Sequence, residues 1–202
     1  LCGALLGYYL LTNNYFAYII ENGEKISIPN TAISIPFMSN GFYDLGFFYI
    51  PLVIIIIIAS SNSVNLTDGL DGLATGLVAI SCMTFSTIAY ATSRYDFSNY
   101  LNIFFIPGSE ELFVFSLIIA GSCIGFLWFN AYPAKIFMGD IGSLPLGAAF
   151  GGLAIIFKKE ILLIIIGGLF VLETLSVIAQ VVYYKITKFK SGKGKRLFKM
   201  AP

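Results

Sequence analysis

Histidine is absent from the 202-residue sequence, which excludes His-ligated metal and imidazole acid–base chemistry within it. Charge is scarce as well. Asp, Glu, Lys and Arg make up 11% of the residues, where an ordinary globular protein carries about 25%. So little charge cannot coat a water-facing surface, and lipid must be the solvent over most of the chain. The net charge of +1 offers no electrostatic footprint for nucleic acid. Cysteine occurs only as Cys2, Cys82 and Cys123, far apart in apolar stretches and never as CxxC. That spacing points to buried free thiols rather than to a disulfide or metal framework.

Apolar residues are plentiful, at 57%, and they gather into charge-free runs. The runs cover 1–20, 45–67, 72–93, 112–134 and 141–157, and 161–184 is interrupted only by Glu173. A spanning helix needs about 20 mostly apolar residues, and backbone polar groups in lipid must be paired internally. The continuous run Ile54–Ile58 lacks the alternation of a membrane barrel. The fold class expected is therefore all-α, a polytopic transmembrane helical bundle with about six helices. Small residues four apart, Gly3 and Gly7, Gly72 and Gly76, Gly121 and Gly125, Gly147 and Gly151, are expected at close helix contacts. Residues 21–44, with Pro29, Pro36, Asn40 and Gly41, read as a short extracytoplasmic excursion containing a hairpin. The chain starts at Leu1 inside an apolar run, so 1–202 reads as a single integral-membrane domain, the C-terminal part of a longer chain.

Alternating crossings put 61–71, 129–142 and 185–202 on one face. That face carries Lys135, Lys185, Lys188, Lys190, Lys193, Lys195, Arg196 and Lys199. The opposite face has only Lys25, Arg94, Lys158 and Lys159, beside most of the acids. The positive-inside rule assigns the basic face to the cytoplasm.

Three carboxylates share that face: Asp68, Asp71 and Asp140. Asp68 and Asp71 lie in Asn-Leu-Thr-Asp-Gly-Leu-Asp-Gly at 65–72, and Asp140 in Phe-Met-Gly-Asp-Ile-Gly-Ser at 137–143, each directly before an apolar run. A helix N-terminus with its unpaired N–H groups suits a phosphate. Carboxylates beside phosphate need a cation between them, and hard oxygen ligands with substrate phosphates describe a Mg²⁺ site. One such loop alone reads as a helix cap. Two glycine-flanked loops on one face favour a Mg²⁺–polyphosphate site.

The stretch 65–72 and Phe-Asn-Ala-Tyr-Pro-Ala-Lys-Ile-Phe-Met-Gly-Asp-Ile-Gly-Ser at 129–143 resemble the polyprenyl-phosphate N-acetylhexosamine-1-phosphate transferases. Glu-Thr-Leu-Ser-Val-Ile-Ala-Gln at 173–180 and Phe-Lys-Met-Ala-Pro at 198–202 resemble the branch that handles phospho-N-acetylmuramoyl-pentapeptide. The resemblance implies transfer of that group from UDP-MurNAc-pentapeptide to undecaprenyl phosphate, giving lipid I and UMP for peptidoglycan synthesis. It implies a bacterial cytoplasmic-membrane enzyme with Asp68 and Asp140 catalytic, Asp140 ligating Mg²⁺, and its active site facing the cytoplasm. Asn65, Gly69, Leu70, Asp71, Asn130, Phe137 and Gln180 match substrate-binding positions, Phe137 able to stack on the uracil base. Partners are then the two substrates and membrane lipid, with a homodimer as a candidate assembly. The family also has an Asp-Asp-rich motif before the region starting at Leu1 and a histidine triplet after Met-Ala-Pro. These 202 residues alone are therefore expected to be inactive.

Two other readings remain open at this point. A sibling transferase would use UDP-GlcNAc or another UDP-N-acetylhexosamine. A transporter or channel would need charges near the bilayer midplane, where only Glu173 lies.

Overall fold

The charge-free runs fold as helices, and their polar ends carry the turns. The computed structural model describes residues 1–12, 17–21, 24–35, 41–191 and 194–198. Pro36, Asn40, Lys193, Lys199 and the closing Met-Ala-Pro lie outside them, as does the side chain of Cys2. The helices are α1 (Cys2–Thr12), α2 (Tyr49–Thr67), α3 (Leu73–Ser93), α4 (Tyr95–Leu101), α5 (Ser109–Asn130), α6 (Gly139–Ile156), α7 (Glu160–Ile166) and α8 (Gly168–Ser191). Among the described residues five are long and apolar enough to cross a membrane: α2, α3, α5, α6 and α8. The protein is thus an all-α polytopic membrane bundle, close to the six spans read from hydropathy.

The differences have local causes. The first run does not stay helical to residue 20. Ala17–Glu21 forms strand β1, paired antiparallel with β2 (Glu24–Ile28), so an apolar segment that hydropathy counts as span is a hairpin. The excursion holds a second hairpin, β3 (Ala32–Ser34) with β4 (Phe42–Asp44). The last run is divided at Gly167, where two consecutive glycines weaken the helix and Phe150 packs against the break. Beyond it α8 continues to Ser191, its Lys188 and Lys190 in the last turn, where cations suit a helix C-terminus.

Packing follows the small residues in part. Gly3 and Gly7 let α1 lie against Ile54 and Ile50 of α2, and Gly147 and Gly151 bring α6 onto Ser60 of α2. Gly121 and Gly125 instead face open space, so that pair makes no close contact among the described residues. The main core joins α3, α5 and α6 through Val78, Cys82, Phe85, Cys123, Phe150 and Phe157. Phe85 meets Phe150 edge-on at 5.4 Å and stacks on Phe157 at 6.1 Å. Cys82 and Cys123 are buried free thiols, as their surroundings in the sequence imply.

The connections expected on the sparsely basic face touch one another. Tyr18 and Phe105 exchange backbone hydrogen bonds of 2.9 and 2.8 Å, tying β1 to the segment after α4. Lys158, read from the sequence as part of a polar connection, is 0% exposed. Its Nζ donates to the carbonyl of Asn30 and, at 3.2 Å, to the Tyr49 hydroxyl, which donates to Glu160 Oε1 at 2.6 Å. Burial pushes the Lys158 ammonium down to about 8, against the pull of Glu160 and Asp44. Burial also pushes the Glu160 carboxyl above its ordinary range, with the Tyr49 hydrogen bond and the Lys158 charge working the other way.

The lowered Lys158 value has a consequence for stability. Above about pH 8 the folded lysine has lost a proton that the unfolded one keeps up to its ordinary range near 10.5. This group's contribution to stability therefore rises with pH in that window. In the full-length protein, the melting temperature of wild type is expected to gain on that of Lys158→Met between about pH 8 and 10. A difference independent of pH would contradict it.

Candidate functional site

The acidic loops end α2 and begin α6, and the α2–α6 contact brings them together. Ser61 Oγ donates to the Leu144 carbonyl at 2.9 Å, one turn from the site. At the end of α2, Asn65 Nδ2 donates to Asp140 Oδ1 at 2.7 Å and to Ser143 Oγ at 2.9 Å. Ser143 in turn donates to the Gly139 carbonyl at 3.0 Å. Asp68, just past the last residue of α2, accepts the Gly139 N–H on Oδ2 at 3.1 Å. Asp68 and Asp140 thus flank the same helix start, the carboxylate of Asp140 oriented by Asn65.

Partial burial raises the Asp68 carboxyl above its ordinary range. The Gly139 N–H pulls it back, and the neighbouring Asp140 charge raises it further. A carboxyl whose ionisation a neighbouring carboxylate disfavours, at a helix N-terminus, belongs to a donor set that a hard cation would relieve. No group of three or more acidic or thiol side chains that could hold a metal occurs among the described residues. A pair still fits magnesium, which takes one or two carboxylates and leaves the rest of its shell to water and substrate phosphates.

A second set of bonds holds the two loops in register. Asp71 Oδ2 accepts the Ala134 N–H at 3.0 Å. Asn130, only 2% exposed at the end of α5, accepts from Gly72 N–H at 3.1 Å and Thr75 Oγ1 at 2.8 Å. Its Nδ2 donates to the Ile136 carbonyl at 3.0 Å. Gly72 has φ of +72°, and a Cβ there would meet Leu127 Cδ1 at 3.1 Å, so the turn into α3 requires glycine. Asn130 is buried at the junction of both loops. Replacing it with Ala leaves a donor and a hydroxyl without acceptor, and is expected to lower the stability of the full-length protein by about 3 kcal/mol. A thermal or denaturant melt within about 0.5 kcal/mol of wild type would contradict this.

The remaining residues divide. Gly69 and Leu70 are exposed at the tip of the first loop, Leu70 at 61%. Phe137 is 68% exposed, leaving its ring face available to a planar base. It borders a cavity of about 350 Å³ with Phe126, Met138, Ile141 and Leu146. Gln180 is not drawn into the carboxylate group: its Oε1 accepts the N–H groups of Leu197 and Phe198, both at 2.9 Å. Glu173 is half-buried on α8. Ser143 and Thr75 escaped sequence reasoning as contributors. Their signal was a hydroxyl within the first turns of otherwise apolar helices.

The sequence model described as glycosyl transferase family 4 matches residues 5–158. The chain belongs to that family. Among curated relatives it is 52% identical over 172 residues to the phospho-N-acetylmuramoyl-pentapeptide-transferase of Thermodesulfovibrio yellowstonii, covering 85% of this chain and 46% of the relative. It is 47% identical over 205 residues to the protein of that name from Chloroherpeton thalassium, covering 99% of this chain and 56% of the relative. With that of Desulfosudis oleivorans it shares 54% identity over 173 residues, or 86% and 47% of the two chains. The chain spans about half the length of the curated relatives it matches.

Proposed function

We propose that the protein to which this glycosyl transferase family 4 chain belongs transfers phospho-N-acetylmuramoyl-pentapeptide from UDP to undecaprenyl phosphate. The products are lipid I and UMP, and the reaction serves peptidoglycan synthesis at the cytoplasmic face of the bacterial inner membrane. The observation that carries the reading is the joining of Asp68 and Asp140, from separate loops, at the N-terminus of α6. The names and identity of the relatives support the substrate pair.

In this reading an oxygen of the lipid phosphate attacks the sugar-linked phosphorus. A P–O bond forms there as the bond to the UMP phosphate breaks. Lipid phosphate has a second pKa of about 6, so it arrives largely dianionic and needs no general base. Mg²⁺, held by Asp140 with Asp68 beside it, would neutralise charge on the pyrophosphate. Asn65 keeps Asp140 turned toward that position, and the N–H groups opening α6 favour the negative charge that develops. Gly69, Leu70 and Phe137 bound the uridine, while Asp71 and Asn130 hold their loops.

The test is release of UMP by the full-length protein in detergent with undecaprenyl phosphate, offering UDP-MurNAc-pentapeptide and UDP-GlcNAc separately. Turnover with the first alone, abolished by chelation and restored by Mg²⁺, is the expected result. Turnover with UDP-GlcNAc alone would move the protein to a sibling activity. Solute flux without UMP release would end the transferase reading.

A further inference from the structure

The C-terminal end of α8 is bent back on by the chain that follows it. Gln180 accepts the N–H groups of Leu197 and Phe198 at 2.9 Å each. Seven residues on, two helical turns along the same face, Thr187 Oγ1 accepts the Lys195 N–H at 2.9 Å. Gly194 permits the reversal, since a Cβ there would run into the Tyr184 ring. These pins set Arg196 beside Lys185 and Lys188, around a cavity of about 520 Å³ with Tyr184 and Phe198 as its apolar wall. Among the described residues no acidic side chain lines it.

A helix C-terminus attracts cations through its dipole, which accounts for the lysines of α8. It does not account for Arg196, which belongs to no helix and is brought back among like charges. Three cations held together without an acid gain most from a shared anion, and a guanidinium is the side chain that grips phosphate in two-point fashion. The apolar wall adds the second half of the argument. α8 is long and apolar enough to cross a membrane over Gly168–Lys190, which would put a cavity at its basic end where headgroups meet acyl chains. An inorganic anion would have no use for Val181 and Phe198 beside it.

We infer that Lys185, Lys188 and Arg196 form a binding site for the phosphate headgroup of an anionic phospholipid in the adjoining leaflet. The inference stands apart from the transferase reading and does not need it.

Native mass spectrometry of the full-length protein in neutral detergent tests it, with phosphatidylglycerol and phosphatidylcholine as probes. Wild type is expected to retain phosphatidylglycerol in preference to phosphatidylcholine. The double variant K188Q/R196Q should lose about 30-fold in that retention, while K190Q/K195Q, with the same loss of charge outside the cavity, should lose little. The charge-preserving K188R/R196K should bind as wild type does, which separates a lost site from a lost fold. Equal losses in the two glutamine doubles would overturn the site in favour of diffuse attraction. So would equal retention of the two lipids, or displacement of the lipid by millimolar inorganic phosphate.

Discussion

Asp140→Asn in the full-length protein is expected to lower UMP release by about 10²–10³-fold or more, leaving the melting temperature nearly unchanged. Asp140 is exposed, and its carboxylate accepts a hydrogen bond from Asn65, whose amide can also satisfy itself on Ser143. Folding therefore has little to lose. The reaction loses the charge that would face the cation, a deficit that an amide oxygen does not restore. Asp68→Asn should be similarly inactive yet no less stable, because burial and the Asp140 charge already disfavour its ionised form. Asn65→Ala separates positioning from chemistry. It leaves both carboxylates but frees Asp140 to turn, so its defect should be about 10–100-fold and eased by raised Mg²⁺. Wild-type turnover in Asp140→Asn would remove the basis of the proposed function.

Gly147→Val should be the most damaging change away from the carboxylates. A Cβ at Gly147 would lie 2.5 Å from the Ser60 carbonyl oxygen and 2.6 Å from Ser61 Cα, both backbone atoms that cannot rotate aside. Even Gly147→Ala, which gains about 1 kcal/mol of helix propensity, should lose more to the forced separation of α2 and α6, about 3 kcal/mol. Val adds bulk and β-branching to that. Gly121→Ala is the matched control, since nothing lies within 4 Å of its Cβ position, and it should be neutral or slightly stabilising. The damage reaches the site because α2 carries Asn65 and α6 carries Asp140, and their 2.7 Å bond spans the interface being pushed apart. Melting temperature and UMP release should thus fall together in the Gly147 variants. A Gly147→Val protein as stable as wild type would refute the packing argument.

The two kinds of glycine look alike in sequence. Gly121-x₃-Gly125 and Gly147-x₃-Gly151 have the same spacing in equally apolar runs, yet only the second meets a neighbouring helix. Spacing shows which residues share a helix face. It does not show which way that face is turned. The same limit applies to Gln180, which the resemblance placed among the substrate-binding positions. Rotation of the helix and return of the chain bind it to Leu197 and Phe198 instead. Lys158 and Glu160 are the opposite case: charges that read as solvated connection are buried under the hairpins, around Tyr49.

Hydropathy and charge alone determined that this is a helical membrane protein, roughly where its spans lie, and that the acidic glycine-flanked loops share one face. These are properties of short stretches of chain, set by the free energy of moving each stretch between water and lipid. Tertiary structure decided that Asn65 grips Asp140, that Asp68 takes the Gly139 N–H, that Asn130 is a buried junction, and that Arg196 returns to α8. Those pairings depend on how helices rotate and how closely they approach. Lipid is as apolar as most side chains it surrounds, so hydropathy cannot choose among rotations; steric fit, as at Gly147 against Ser60, and hydrogen bonding make that choice.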